Sequence, residues 1–163
     1  MQIKEIKDED FVNYKKSSMF IIFPFCSFKC DKENSCNLCQ NSHLAQEPTI
    51  NIPIDYILMR YLTNELTHAI VCGGLEPFDT ANELLELVDK ARKGFDIQDD
   101  IVIYTGYTEE ELQNNSFFQQ ITQYPNIIIK FGRFRPNETS HYDEILGIKL
   151  VSNNQYAKRY NYA

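Results

Sequence analysis

Four of the five cysteines fall within fourteen residues, as Cys26-Ser27-Phe28-Lys29-Cys30 and Cys36-Asn37-Leu38-Cys39, directly after the apolar run Met19 to Phe25. That crowding constrains the fold before anything else does. Thiolates on a loop at the end of a strand are soft ligands for iron or zinc, and the fold must present them together. A second signal, Cys72-Gly73-Gly74-Leu75-Glu76-Pro77, follows another short apolar segment. A Gly-Gly loop at a strand end lets backbone approach a bound small molecule closely. The two signals together point to a metal group facing a ligand pocket.

Four apolar runs have strand length: Phe20 to Phe25, Ala69 to Cys72, Ile101 to Thr105 and Ile127 to Phe131. Their continuous apolarity suits a sheet covered by helices. Helical spacing joins Leu84, Leu85, Leu87, Val88 and Ala91, with Thr80-Ala81-Asn82-Glu83 as a capping-box pattern and Gly94 as a stop. Pro53 opens an earlier helix carrying Ile57, Leu58, Tyr61 and Leu62, and Thr108-Glu109-Glu110-Glu111 starts a later one. Strand and helix in alternation predict parallel βαβ units, whose ligands bind at the carboxyl ends of the strands. The cysteines, Gly73-Gly74 and Thr105-Gly106-Tyr107 all fall at such ends.

The 163 residues, with 43% hydrophobic and 13% aromatic content, are expected to fold as a single domain over 1–163 that buries about 70% of its unfolded surface. A net charge of −7 argues against a nucleic-acid surface. The first ten residues are charged throughout and do not read as a signal peptide. The longest apolar run falls far short of the roughly 20 residues a membrane span needs. The chain therefore reads as cytoplasmic, with no membrane partner. In a reducing compartment, clustered cysteines favour metal over disulfides.

On residue types alone, two metal sites compete. Four thiolates would close a tetrahedral zinc site. Three would hold a [4Fe–4S] cluster and leave one iron open to a ligand. Cys72, at the end of an apolar strand, reads as a small buried hydrophobe. His43, His68 and His141 have no ligand spacing. Lys130, Arg133 and Arg135 read as a solvated basic face or a dock for an acidic partner.

Cys26-x₃-Cys30 after a strand, followed by Cys39-Gln40-Asn41, resembles the cysteine loop of the radical S-adenosylmethionine superfamily, Cys-x₃-Cys-x₂-Cys-x-Asn. Gly73-Gly74-Leu75-Glu76-Pro77 is similar to its Gly-Gly-Glu-Pro motif with a leucine inserted. Tyr104-Thr105-Gly106-Tyr107 and Ser152-Asn153-Asn154-Gln155 are similar to segments of the small activases of anaerobic (class III) ribonucleotide reductase. The loop departs from the family pattern at one point. Eight residues separate Cys30 from Cys39, with Cys36 inside the insertion. Aligning the strand and Gln40-Asn41 selects Cys26, Cys30 and Cys39, while ligand sets that include Cys36 stay open.

The resemblance implies an α/β fold, a partial open (βα) barrel with mostly parallel strands. It implies an oxidoreductase holding a [4Fe–4S] cluster and S-adenosyl-L-methionine, with Asn41, Gly73, Gly74, Glu76, Thr105 and Asn154 bordering the latter. Reductive cleavage would give a 5′-deoxyadenosyl radical that installs a glycyl radical on the catalytic subunit of anaerobic ribonucleotide reductase. An external electron donor would be a second partner. Alternatives are activation of another glycyl-radical enzyme, radical modification of a different peptide, or a zinc-stabilised binding module with no activity. Replacing Cys26, Cys30 or Cys39 by Ala should abolish cluster binding, whereas Cys36→Ala should retain it. Iron analysis of the four variants checks this, and cluster loss in Cys36→Ala with retention in Cys30→Ala would reassign the ligands.

Overall fold

The computed structural model describes residues 1–35 and 37–161. Two short strands, Gln2–Ile3 (β1) and Glu5–Asp10 (β2), precede the first apolar run, which forms Ser18–Ile22 (β3). The cysteine segment carries helix Lys29–Asn34 (α1) and a 3₁₀ turn, Ser42–Gln46. Ile50–Asn51 (β4), Ile54–Leu62 (α2), Ala69–Gly73 (β5) and Ala81–Asp89 (α3) follow, and α3 continues as a π-helical turn to Gly94. Then come Asp100–Tyr104 (β6), Glu109–Leu112 (α4), Ser116–Ile121 (α5) and Ile127–Phe131 (β7). The chain finishes with His141–Asp143 (β8), Ile148–Leu150 (β9) and Tyr156–Tyr160 (β10).

The central sheet has six strands in the order β10-β7-β6-β5-β3-β2. β3, β5, β6 and β7 are parallel, in a register that aligns Met19 with Ile70, Ile70 with Ile101, and Ile101 with Ile127. β2 and β10 close the two edges antiparallel. The fold is thus mixed α/β with a largely parallel sheet, as the apolar runs predict. From β3 to β7 the order never reverses. Crossovers of one hand then place all the connecting helices on one face, without the switch point of a doubly wound sheet.

Alternation along the strands sends Ile21, Ile70, Cys72, Ile103 and Ile129 to the helix face, against Leu58, Leu84, Leu87, Val88 and Ile121. Val71, Val102 and Ile128 face the other way, against Tyr14, Leu146 and Leu150. Each such side chain contributes about 1.5–3 kcal/mol of burial. Burial on both faces explains why the runs read as continuously apolar. Cys72 is fully buried, as its position in a strand suggests.

Three features differ from expectation. Glu5–Asp10 pairs with β3 despite its charges, which at an exposed edge also discourage pairing with a second chain. Tyr156–Tyr160 adds the opposite edge, where Ala157 is buried and its neighbours Tyr156 and Lys158 are exposed. The capping box expected at Thr80 is absent, because a 3₁₀ turn, Pro77–Thr80, runs straight into α3 and leaves Glu83 to accept from the Gln2 N–H at 3.2 Å. The box forms instead at Thr108 and Glu111, whose bonds measure 2.9 and 3.2 Å.

At the strands' amino ends, Asp100 is 4% exposed and accepts from Tyr14 Oη at 2.8 Å, Lys16 Nζ at 2.7 Å and the Arg159 guanidinium. Burial opposes its charge, but these donors outweigh it and hold its pKa down at about 2. A depressed folded-state value means stability that is present above the unfolded pKa and lost as pH falls through the folded one. Asp100→Asn should therefore cost about 2 kcal/mol at pH 7, and the deficit should shrink between about pH 4 and 2. Urea unfolding across that range checks this; a deficit independent of pH would contradict it.

Candidate metal centre and cofactor cleft

The parallel register places four loops at one end of the sheet: the cysteine loop after β3, Gly74 to Pro77 after β5, Thr105 to Tyr107 after β6 and Gly132 to Phe134 after β7. Between them, on the face away from the helices, lies a cleft of about 690 Å³. Small-molecule sites span about 300–1,000 Å³. Cys26, Cys30, Cys39, Asn41, Gly74, Glu76 and Thr105 all line it.

The cysteine loop turns on Phe28, whose φ of 52° is left-handed. It is tied down from outside. Ser27 N–H donates to Asp79 Oδ2 at 2.7 Å, and Tyr107 Oη donates to Asp79 Oδ1 at 2.6 Å. Lys29 Nζ lies 4.2 Å from the centre of the Tyr107 ring. Asp79 thus clamps the first cysteine to the loop after β6.

Glu76 joins the other loops. It is 7% exposed, and its Oε1 accepts from Thr105 Oγ1 at 2.8 Å and Phe78 N–H at 3.1 Å. Its Oε2 accepts from Gly106 N–H at 2.8 Å, while its own N–H donates to Phe25 O at 2.9 Å. Burial raises its pKa to about 7 against the pull of those donors. A Cβ on Gly106 would lie 3.6 Å from Glu76 Oε2 and 3.9 Å from Cys30 Sγ, so this loop brings the carboxylate and a thiol to one point. Gly74 has φ +78°, and a Cβ there would stand 2.6 Å from Ile22 Cγ2, which explains the glycine.

All three described loop cysteines are half-buried and free of disulfides. Burial pushes the Cys26 thiol up to about 12, with Glu76, Asp79 and Cys30 adding to it. Burial likewise raises Cys30, which also senses Cys39. The Cys26 sulfur accepts the Phe28 N–H at 3.3 Å. Among the described residues no three His, Cys, Asp or Glu side chains converge on a single metal ion. Three soft thiols lining one cleft suit a cluster with one thiolate per iron, and an N–H donor to sulfur is one way proteins tune such clusters. The residues present therefore fit a [4Fe–4S] group, whose irons would displace the thiol protons. Cys36, the alternative or fourth ligand, lies outside the described residues.

Two expected residues stand apart from the cleft lining. Gly73 is within β5, where a Cβ would lie 3.1 Å from Tyr104 Cβ and 3.2 Å from the Phe20 ring, so its lack of a side chain lets those two rings approach. Asn154 donates to Arg133 O at 2.9 Å and so braces the loop after β7. Its neighbour Gln155 does reach the cleft, donating to Gly132 O at 3.3 Å.

The basic stretch is not a solvated face at its first two positions. Lys130 is 7% exposed and donates to Gly132 O at 2.8 Å, and Arg133 is 8% exposed, pairing with Glu111 at 2.7 Å. Both line the cleft, and burial lowers the Lys130 pKa to about 8 against the pull of Glu76 and Cys30. The signal in the sequence was Gly132 after an apolar strand, the same arrangement as in the other site loops. Arg135, in contrast, is exposed and pairs with Glu138.

A loop of three clustered thiols at the carboxyl ends of a parallel α/β sheet, lining one cleft, is the arrangement of an iron–sulfur protein. The family model for 4Fe-4S single cluster domains matches residues 17–156, and the chain belongs to that family. No curated protein matches the chain.

Glu76→Gln, though nearly isosteric, must turn an amide N–H toward a backbone N–H, of Gly106 or of Phe78. It should lower stability by about 1–3 kcal/mol. Urea unfolding of the iron-free protein checks this, and an unchanged midpoint would show that the carboxylate does not hold the loops.

Proposed function

We propose that the chain is a radical S-adenosylmethionine activase that generates a 5′-deoxyadenosyl radical and installs a glycyl radical on the catalytic subunit of anaerobic ribonucleotide reductase. The observation that carries this reading is the shared cleft, where the cluster cysteines and the Gly74, Glu76 and Thr105 loops line one space of about 690 Å³. That leaves room for a small molecule beside a cluster. The unreversed strand order, with helices on one face, is in keeping with the partial open (βα) barrel of that superfamily.

Cys26, Cys30 and Cys39 would hold the cluster, which, charged by an external one-electron donor, would supply the electron for cleaving the sulfonium of S-adenosylmethionine to methionine and the 5′-deoxyadenosyl radical. Gly74 offers backbone at the positive-φ turn for the amino-acid end of that cofactor. Glu76 fixes this turn relative to Thr105 and Gly106, so the two loops bordering the cofactor move as one. Asn41 lies two residues after the third cysteine, lines the cleft and makes no side-chain capping bond to the 3₁₀ turn it starts. Phe20, Tyr104 and Leu150 supply apolar wall that excludes water from a reactive radical. The face away from the helices gives the cleft its opening to a partner's glycine-bearing segment.

The test is anaerobic reconstitution with iron and sulfide, reduction with dithionite in the presence of S-adenosylmethionine, and chromatography for 5′-deoxyadenosine. The expected result is that product, followed by a glycyl-radical signal in electron paramagnetic resonance when the reductase subunit is added. One zinc per chain with no iron would return the protein to the binding modules. Cleavage without a radical on the reductase would point to another glycyl-radical protein or peptide.

A further inference from the structure

We infer that Asp31 is a positioning residue for the cluster, closing the eight-residue loop between Cys30 and Cys39 so that Cys39 is delivered beside Cys30. The inference rests on Cys39 as a cluster ligand. The loop between Cys30 and Cys39 spans residues 31–38, which is long enough for the second and third ligands to drift apart. Asp31 follows Cys30 directly in α1. Its Oδ1 accepts from Leu38 N–H and from Cys39 N–H, both at 2.9 Å. The carboxylate at the start of the loop therefore grips the backbone at its end.

The same few residues secure the near side. Asn34 Nδ2 donates to Cys30 O at 2.7 Å. Ser35, left-handed at φ 54°, ends α1 by donating its N–H to Asp31 O. The segment thus folds back on the turn that carries Cys30, and Asp31 bonds at both its backbone and its side chain. Charge-assisted bonds of this kind are the stronger class of hydrogen bond. The Asp31 charge also sits at the metal site, since its carboxylate is in direct contact with the backbone of Cys39. Asp31 should therefore act in two separable ways: its oxygen places Cys39, and its charge disfavours reduction of the group that Cys39 binds.

Two variants of the full chain separate these. Asp31→Ala removes acceptor and charge, whereas Asp31→Asn keeps an oxygen that can accept both N–H groups. After anaerobic reconstitution, iron and sulfide per chain, the rate of iron loss to a chelator, and the midpoint potential are measured. Asp31→Ala should lose iron about tenfold faster than the parent, from the loss of two bonds to a charged acceptor. Asp31→Asn should hold iron at the parent rate yet titrate at a higher potential, because a negative charge has gone. A purely local folding role would not move the potential.

Iron loss from Asp31→Ala at the parent rate would overturn the inference, as would equally fast loss from both variants. An unshifted potential in Asp31→Asn would overturn the electrostatic half. None of these readouts needs S-adenosylmethionine. A protein that loads iron, responds as described and yields no 5′-deoxyadenosine refutes the activase and leaves Asp31 standing. A parent chain that takes up no iron overturns both.

Discussion

A single buried carboxylate organises the working end of this molecule. Glu76 sits where the loops after β3, β5 and β6 meet, and three donors converge on its side chain while its own amide bonds to Phe25. A carboxylate taken out of water without partners would be costly, and each of its bonds is correspondingly strong. The network is satisfied in one arrangement of the loops. In that arrangement the Cys26 segment, the Gly74 turn and Thr105-Gly106 border one space. Asp79 repeats the device nearby with Ser27 and Tyr107, so two acids hold a loop that has little apolar surface of its own.

Around this knot the electrostatics run against the chain's overall charge. The molecule carries −7, yet Lys130 and Arg133 lie buried against the cleft, facing Glu76 and the thiols. Low-dielectric surroundings raise the cost of every uncompensated charge there. The cations balance the carboxylate and would also balance the thiolates of a cluster. The thiols themselves are held protonated by burial, a state that a bound cluster reverses by ligation. Placement of the site also follows from the strand order. Helices confined to one face leave the other without a full cover, and the short β8–β9 pair and the segment around Tyr14 shield only part of it.

Much of this could be read from the residues. The four parallel strands, the helices at Ile54, Ala81 and Glu109, and the fall of each unusual motif at a strand end follow from periodicity, because a strand buried on both faces must be apolar throughout. The edge strands could not be read so. Glu5–Asp10 has little strand propensity and is held by pairing with β3, and Tyr156–Tyr160 depends in the same way on β7. Local rules also misled at Thr80, where the cap pattern yielded to a 3₁₀ turn. Lys130 and Arg133 looked solvated because charge in a sequence carries no burial, and the Glu111 that pairs with Arg133 lies far along the chain.

The sequence by itself determined the chemistry on offer: soft thiolates crowded into one loop, glycines where backbone must turn, and apolar runs that can only be interior strands. These are local properties, set by residue type and spacing. The tertiary structure decided which of those groups meet. It brought Glu76 to Gly106, Asp79 to Ser27 and Asp31 to Cys39, and it set Asn154 to bracing a loop while Gln155 reached the cleft. Hydrogen bonds of this kind form between residues brought close by the packing of a parallel sheet, and no local pattern encodes that proximity.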